Sequence, residues 1–342
     1  MTAVAGLEAP WSTTDGEIAA INLESARRRA WARFADDLRR PGLAEAVLDA
    51  ERLAAQFLGD LAALDRLEAL AARLGGVDAS FRAAIVAAEV ASLTHRFDDA
   101  RGQLARAARL GAPADDVRRH ALTLDQACGR DLGAVLAARR QDAAASGRAE
   151  DLVPLGAVLA DLERCAEADA VYRQALSSCD GVSPFPPAWT SFQLGMLWGE
   201  LAPDPDPDLA TRWYRRAIAY LPAYAKARVH LAEICASRGR FGEAEALLAP
   251  ALASSDPEVR WRLGDVLIAQ GRSDEGRAQL DAARLGFDRL LHRHMLAFAD
   301  HAAAFYAGSG GDPARALQLA QANAANRPTR RAVEMVRKIA GA

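Results

Sequence analysis

Apolar positions keep helical spacing along most of the chain, interrupted by short stretches rich in Gly, Pro and polar residues. The pattern starts near Glu17 and runs to about Arg40, where Pro41-Gly42 stops it. It resumes from Leu43 to Phe57 and from Asp60 to Leu74, and Gly75-Gly76 ends that run. Residues 1–17 lack periodicity and read as a flexible tail. Ser177 to Pro187 and Leu201 to Pro207 read as loops, the second stiffened by alternating prolines. Beyond Pro328, Thr329 is placed to cap a last helix through Lys338, with Ala332, Val333, Val336 and Ile339 as its apolar stripe.

From Ala87 onward the periodicity becomes a repeat. Starting at Leu155-Gly156, small or large residues recur at Ala168, Tyr172 and Ala175. The same offsets lead from Leu231-Ala232 to Ala244, Leu248 and Ala251, and from Leu263-Gly264 to Gly276, Leu280 and Ala283. They also lead from Ala87-Ala88 to Ala100, Leu104 and Ala107. Leu194-Gly195 with Trp198 continues to Ala210, Tyr214, Ala217 and Pro222, with three extra residues in the Pro203–Asp208 turn. Ala303-Ala304 leads to Ala316, Ala320 and Pro328.

This order of small and large residues resembles the tetratricopeptide repeat family, whose unit is two antiparallel helices in about 34 residues. The resemblance covers roughly residues 80–328 and is clearest from 149 onward. It implies an all-α fold, a right-handed superhelical solenoid of antiparallel helix pairs, in which each pair stacks on its neighbours. Gly156, Gly195 and Gly264 are expected to face Ala168, Ala210 and Gly276 where the two helices approach closely. The expected organisation is a tail (1–17), a helical region with degenerate repeats (18–148), clear repeats (149–328) and a C-terminal capping helix (329–342).

Composition narrows the class. The chain has 342 residues, 25% charged, 6% aromatic, with a formal net charge of −3. It is rich in Ala, which favours helices over strands. Only Lys226 and Lys338 among its 42 basic residues are lysines, a bias of the kind a GC-rich genome produces. No apolar run reaches the roughly 18 residues of a membrane span. Cys128, Cys165, Cys179 and Cys235 are scattered, as expected of reduced thiols in a cytoplasmic protein. The basic run Arg27-Arg28-Arg29 with Arg33, Arg39 and Arg40 reads as a solvated outer face, and no aromatic interleaving points to nucleic acid.

Catalytic motifs are missing from the sequence. Gly308-Ser309-Gly310-Gly311-Asp312 has no Lys-Ser/Thr after it, and neither G-x-S-x-G nor H-E-x-x-H occurs. His292, His294 and His301 crowd together without metal-ligand spacing, and His95, His120 and His230 are isolated in sequence. The chain therefore reads as a non-enzyme with no metal and no cofactor.

Positions −5, −2 and +2 from each repeat leucine share one face of the first helix, which would line the concave groove. They and the adjacent face supply Trp189, Phe192 and Met196, then Lys226, His230 and Glu233, then Trp261, Arg262 and Asp265, and finally Phe298, His301 and Phe305. Trp, Phe and Arg are anchor residues of protein interfaces. Family members that clamp chaperone tails use Lys, Arg and Asn on this face, and here only Lys226, Arg262 and His230 correspond. The expectation is a scaffold binding a protein or peptide ligand, without nucleic acid or membrane. Two alternatives stay open: an enzyme or metal-dependent protein using the groove as a pocket, and a structural homo-oligomer.

Overall fold

The computed structural model describes residues 12–341, and among them it contains helices and turns but no strand. The N-terminal part comprises α1 (Gly16–Asp36), α2 (Leu43–Leu58), α3 (Ala63–Gly75), α4 (Phe81–Leu93), α5 (Phe97–Arg109) and α6 (Ala114–Ala127). Next come α7 (Leu132–Ser146), α8 (Ala149–Asp161), α9 (Cys165–Ser177), α10 (Phe185–Met196) and α11 (Pro207–Tyr220). Then follow α12 (Ala225–Ser237), α13 (Phe241–Leu248) and α14 (Pro257–Ala269), with α15 (Ser273–Ala307), α16 (Pro313–Asn326) and α17 (Arg330–Ala340) completing the chain. A π-helical turn, Leu197–Leu201, extends α10, and a 3₁₀ turn, Ala249–Ala253, extends α13.

These helices form two compact units. The first takes the described residues up to Asn22 together with Asp131–Ala251, and the second takes Leu23–Arg130 with Leu252 onward. Of the residues expected in the tail, 1–11 lie outside the described ones. From Thr14 the chain is held in the first unit, where its N–H donates to the Val182 carbonyl at 2.7 Å. Asp15 Oδ1 then accepts from the N–H groups of Glu17 and Ile18, capping α1.

One turn recurs between paired helices. α4/α5, α8/α9, α12/α13 and α14/α15 are each joined by three residues, whose middle member is left-handed: His95, Glu163, Gly239 and Gly271, with φ of 55°, 57°, 71° and 83°. The residue after it is always arginine. The N–H groups of Arg96, Arg164, Arg240 and Arg272 return to the carbonyls of Ala91, Leu159, Cys235 and Leu267 at 2.8–2.9 Å, closing the preceding helix. Each arginine also pairs with an acid three residues on, Asp99, Glu167, Glu243 or Glu275, in the first turn of the next helix. Such exposed pairs contribute only ~0.2–1 kcal/mol, so the backbone reversal does most of the structural work.

Glycine lets the pairs close, partly as expected. A Cβ on Gly264 would sit 2.9 Å from the Gly276 carbonyl oxygen and 2.8 Å from Leu280, so these two helices do meet through small residues. On Gly156 and Gly195 a Cβ would instead run first into the rings of Tyr172 and Tyr214. There the glycine makes room for a fully buried phenol ring, more than for the Ala168 or Ala210 expected opposite it.

Within the second unit, helices of residues 23–130 pack with helices from residue 252 onward. Phe34, Val47, Leu67, Leu70, Val86 and Val90 of α1–α4 form one core, and Phe298 of α15 packs against it. Ser255 bonds to Gly59 and Leu61, and His95 Nδ1 lies 3.1 Å from the Leu296 carbonyl. Stacking on sequence neighbours alone does not require these contacts. α15 is two successive helices of the repeat that meet at a kink at His294 (φ −136°, ψ 49°) with no loop between them.

Arg27 departs from the solvated face expected for the basic run. It reaches Asp60 Oδ2 at 2.6 Å and the fully buried Glu51 at 3.5 Å, and Glu51 also accepts from Trp31 Nε1 and Arg66. A buried carboxylate needs such partners, because an unpaired charge in the core is strongly disfavoured.

Candidate interaction surface

The twelve residues predicted to line a groove divide evenly between the units. Trp189, Phe192, Met196, Lys226, His230 and Glu233 fall in the first, and Trp261, Arg262, Asp265, Phe298, His301 and Phe305 in the second.

In the first unit the repeat register brings α10 and α12 together through aromatic rings. Phe192 is buried, with ring centroids 5.2–5.9 Å from those of Trp189, Tyr214, Tyr224 and His230. It is therefore core, a correction to its groove assignment. Trp189 stacks on it from outside and stays half-buried, as do Met196 and Lys226. One turn further along α12, His230 lies nearly parallel to Tyr214, and its Nδ1 is 2.6 Å from Glu200 Oε1 and 3.4 Å from Glu233 Oε2. Burial disfavours charge on this imidazole. The two carboxylates outweigh that cost and push its pKa up to about 10.

In the second unit Trp261 and Phe305 are also core, at 4% and 0% exposure. Trp261 packs edge-on against Phe287 and Phe305, its Nε1 donates to Ser309 Oγ, and the Arg262 guanidinium covers its face 3.6 Å from the ring centroid. The physical reason is shared with Phe192: two turns of one helix face meet the following helix pair, so part of the predicted stripe is a seam between helices. Phe298 packs against the α1–α4 core on one side and stays partly buried. Arg262, Asp265 and His301 remain half-exposed. Asp265 accepts from Ser309 Oγ at 2.6 Å, and His301 Nδ1 lies 2.6 Å from Glu258 Oε1.

The three clustered histidines separate. His294 turns into the core, with Nε2 2.8 Å from Asp65 Oδ1, His301 meets Glu258, and His292 is exposed. His95, isolated in sequence, is also enclosed: burial first, then the charge of Arg327, lowers its pKa to about 4. The thiols of Cys128, Cys179 and Cys235 are buried and unpaired, and Cys165 is partly buried.

Sequence reasoning missed Glu200, Asp65 and Glu68, because each meets its histidine across the fold. For Glu200 a signal existed in the three extra residues after Leu194-Gly195, since the π turn that carries it lies in the same irregular connection. Also unforeseen is a depression of about 590 Å³ in the second unit, lined by Glu68 of α3, Val90 of α4 and Arg96, Asp98, Asp99 and Gln103 near the start of α5.

No protein-family profile matches the chain, and no curated protein does. Solved structures that resemble it include a tetratricopeptide repeat protein from Parabacteroides merdae, at 12% identity and a TM-score of 0.43, covering 76% of this chain and 98% of that one. Another is the APC/C hetero-tetramer Cut9-Hcn1, at 11% identity and a TM-score of 0.45, covering 95% of this chain and 54% of that one. A third is a monomeric IFIT1 mutant with m7Gppp-AAAA, at 13% identity and a TM-score of 0.41, covering 88% and 73%. On the evidence of its own repeat spacing, its recurrent Arg-bearing turns and its glycine-mediated helix pairs, the chain is a tetratricopeptide-like all-α helical-repeat protein.

Proposed function

We propose that the chain is a non-catalytic, cytoplasmic scaffold that holds a peptide or partner protein. The observation that carries this reading is the outer row of the first unit, where Trp189 and Met196 of α10 and Lys226 of α12 stay half-exposed above a complete aromatic core. Phe192, Tyr214 and Tyr224 already fill the space beneath, so Trp189 is held stiffly at the surface, and a pre-positioned indole loses little entropy on binding. Lys226 adds a cation beside it, suited to an acidic or carboxylate-bearing segment. The buried free thiols support a reducing compartment.

The test replaces Trp189, Met196 and Lys226 together by Ala and compares partners captured by tagged wild-type and variant chains from native extract. Unchanged circular dichroism with loss of the wild-type partner is the expected result. An identical partner set for both chains removes this surface from the binding role.

A further inference from the structure

The Glu200–His230–Glu233 cluster has the composition of a metal centre and lies outside the interaction surface proposed above, on which it does not depend. His230 and Glu233 stand three residues apart on α12 and so share a face. Glu200 reaches them from the π turn Leu197–Leu201, where the wider helical turn redirects its side chain. The imidazole nitrogen and one oxygen of each carboxylate all lie within 4.8 Å of one another. Stacking on Tyr214 and the edge contact with Phe192 hold the imidazole in place.

We propose that Glu200, His230 and Glu233 bind one divalent transition-metal ion of the zinc class. Imidazole with two carboxylates is a donor set such ions accept. Bonds of about 2.1 Å in tetrahedral geometry put ligand atoms about 3.4 Å apart. The His230–Glu233 separation is already 3.4 Å. The 2.6 Å between His230 and Glu200 is a proton-bridged distance. A metal replacing that proton requires Glu200 to draw back by about 0.8 Å. Its side chain is 34% exposed. Three protein ligands leave a coordination position for water, and the ion would tie α12 to the end of α10.

A second cluster, Asp65, Glu68 and His294, meets the same distance criterion. There Arg293 and Arg96 already occupy the carboxylate oxygens at 2.7 and 3.2 Å, and two guanidiniums beside the site oppose a cation.

The experiment titrates the full, chelator-stripped chain with Co²⁺ as a spectroscopic probe and with Zn²⁺ by calorimetry. One equivalent of each should bind, and the cobalt spectrum should show nitrogen and oxygen ligation without a thiolate charge-transfer band. Glu200→Gln and Glu233→Gln should each weaken binding by about tenfold or more, with circular dichroism unchanged. Failure of the wild-type chain to bind cobalt overturns the proposal, as does a thiolate band or undiminished binding by both variants. The wild-type titration decides even if a variant does not fold.

Discussion

Gly264 shows what one missing methyl group does in this protein. Its Cα faces the Gly276 carbonyl and the Leu280 side chain, and an added Cβ would come within 3 Å of both. Gly264→Ala is therefore expected to destabilise by ~1–3 kcal/mol through overpacking. Gly242, exposed on α13 with nothing within 4 Å of its would-be Cβ, makes the opposite case. Gly242→Ala should stabilise by up to about 1 kcal/mol, because alanine has the better helix propensity. Urea unfolding of the two variants checks this, and effects of the same sign would mean that close approach is not what Gly264 provides. At this scale spacing located the glycines at the close helix contacts, but identified the small partner opposite only for Gly264. The aromatic anchors were read less well: Phe192, Trp261 and Phe305 have the right angular position on their helices, but spacing does not say whether that angle faces solvent or another helix.

At the scale of elements, α15 passes from one helix of the repeat to the next without a loop. The two helices meet at a kink at His294, whose ring is held by Asp65 of α3. Asp65→Ala removes that acceptor from a side chain only 2% exposed. A buried ring N–H without a partner costs on the order of 1–3 kcal/mol. Hydrogen exchange should quicken in α3 and in residues 295–307, while the exposed Asp49→Ala changes stability by less than about 0.5 kcal/mol. Exchange rates unaltered by Asp65→Ala would show that the break is set by the local chain instead. The paired helices themselves were readable, and so was more than the leucine spacing used to find them. The Arg-x-x-acid step at Arg96, Arg164, Arg240 and Arg272 marks four reversals independently of the core residues.

For the whole molecule the informative feature is the composition of the second unit, built from residues 23–130 and from 252 onward. In a stack of nearest neighbours, removing terminal repeats leaves the others nearly intact. Here, deleting residues 252–342 uncovers the core of Phe34, Val47, Leu67 and Leu70 on the side that Phe298 packs. It also removes the partners of Gly59, Asp65 and His95. A chain ending at residue 251 is expected to lose more far-UV helical signal than the deleted helices account for, with residues 23–130 open to limited proteolysis. Proportionate loss and a protease-resistant N-terminal segment would show that these distant contacts are dispensable.

Local spacing was enough to determine the helices, their pairing and the reversals, because each depends on residues within one repeat and on backbone geometry that short segments carry with them. Tertiary structure alone decided which stripe became seam and which stayed at the surface. It also decided which carboxylates came to stand beside His230 and His294, and that residues 23–130 share a unit with those from 252 onward. Helical periodicity specifies the direction in which a side chain leaves its axis. The partner it meets depends on where chain remote in sequence comes to rest.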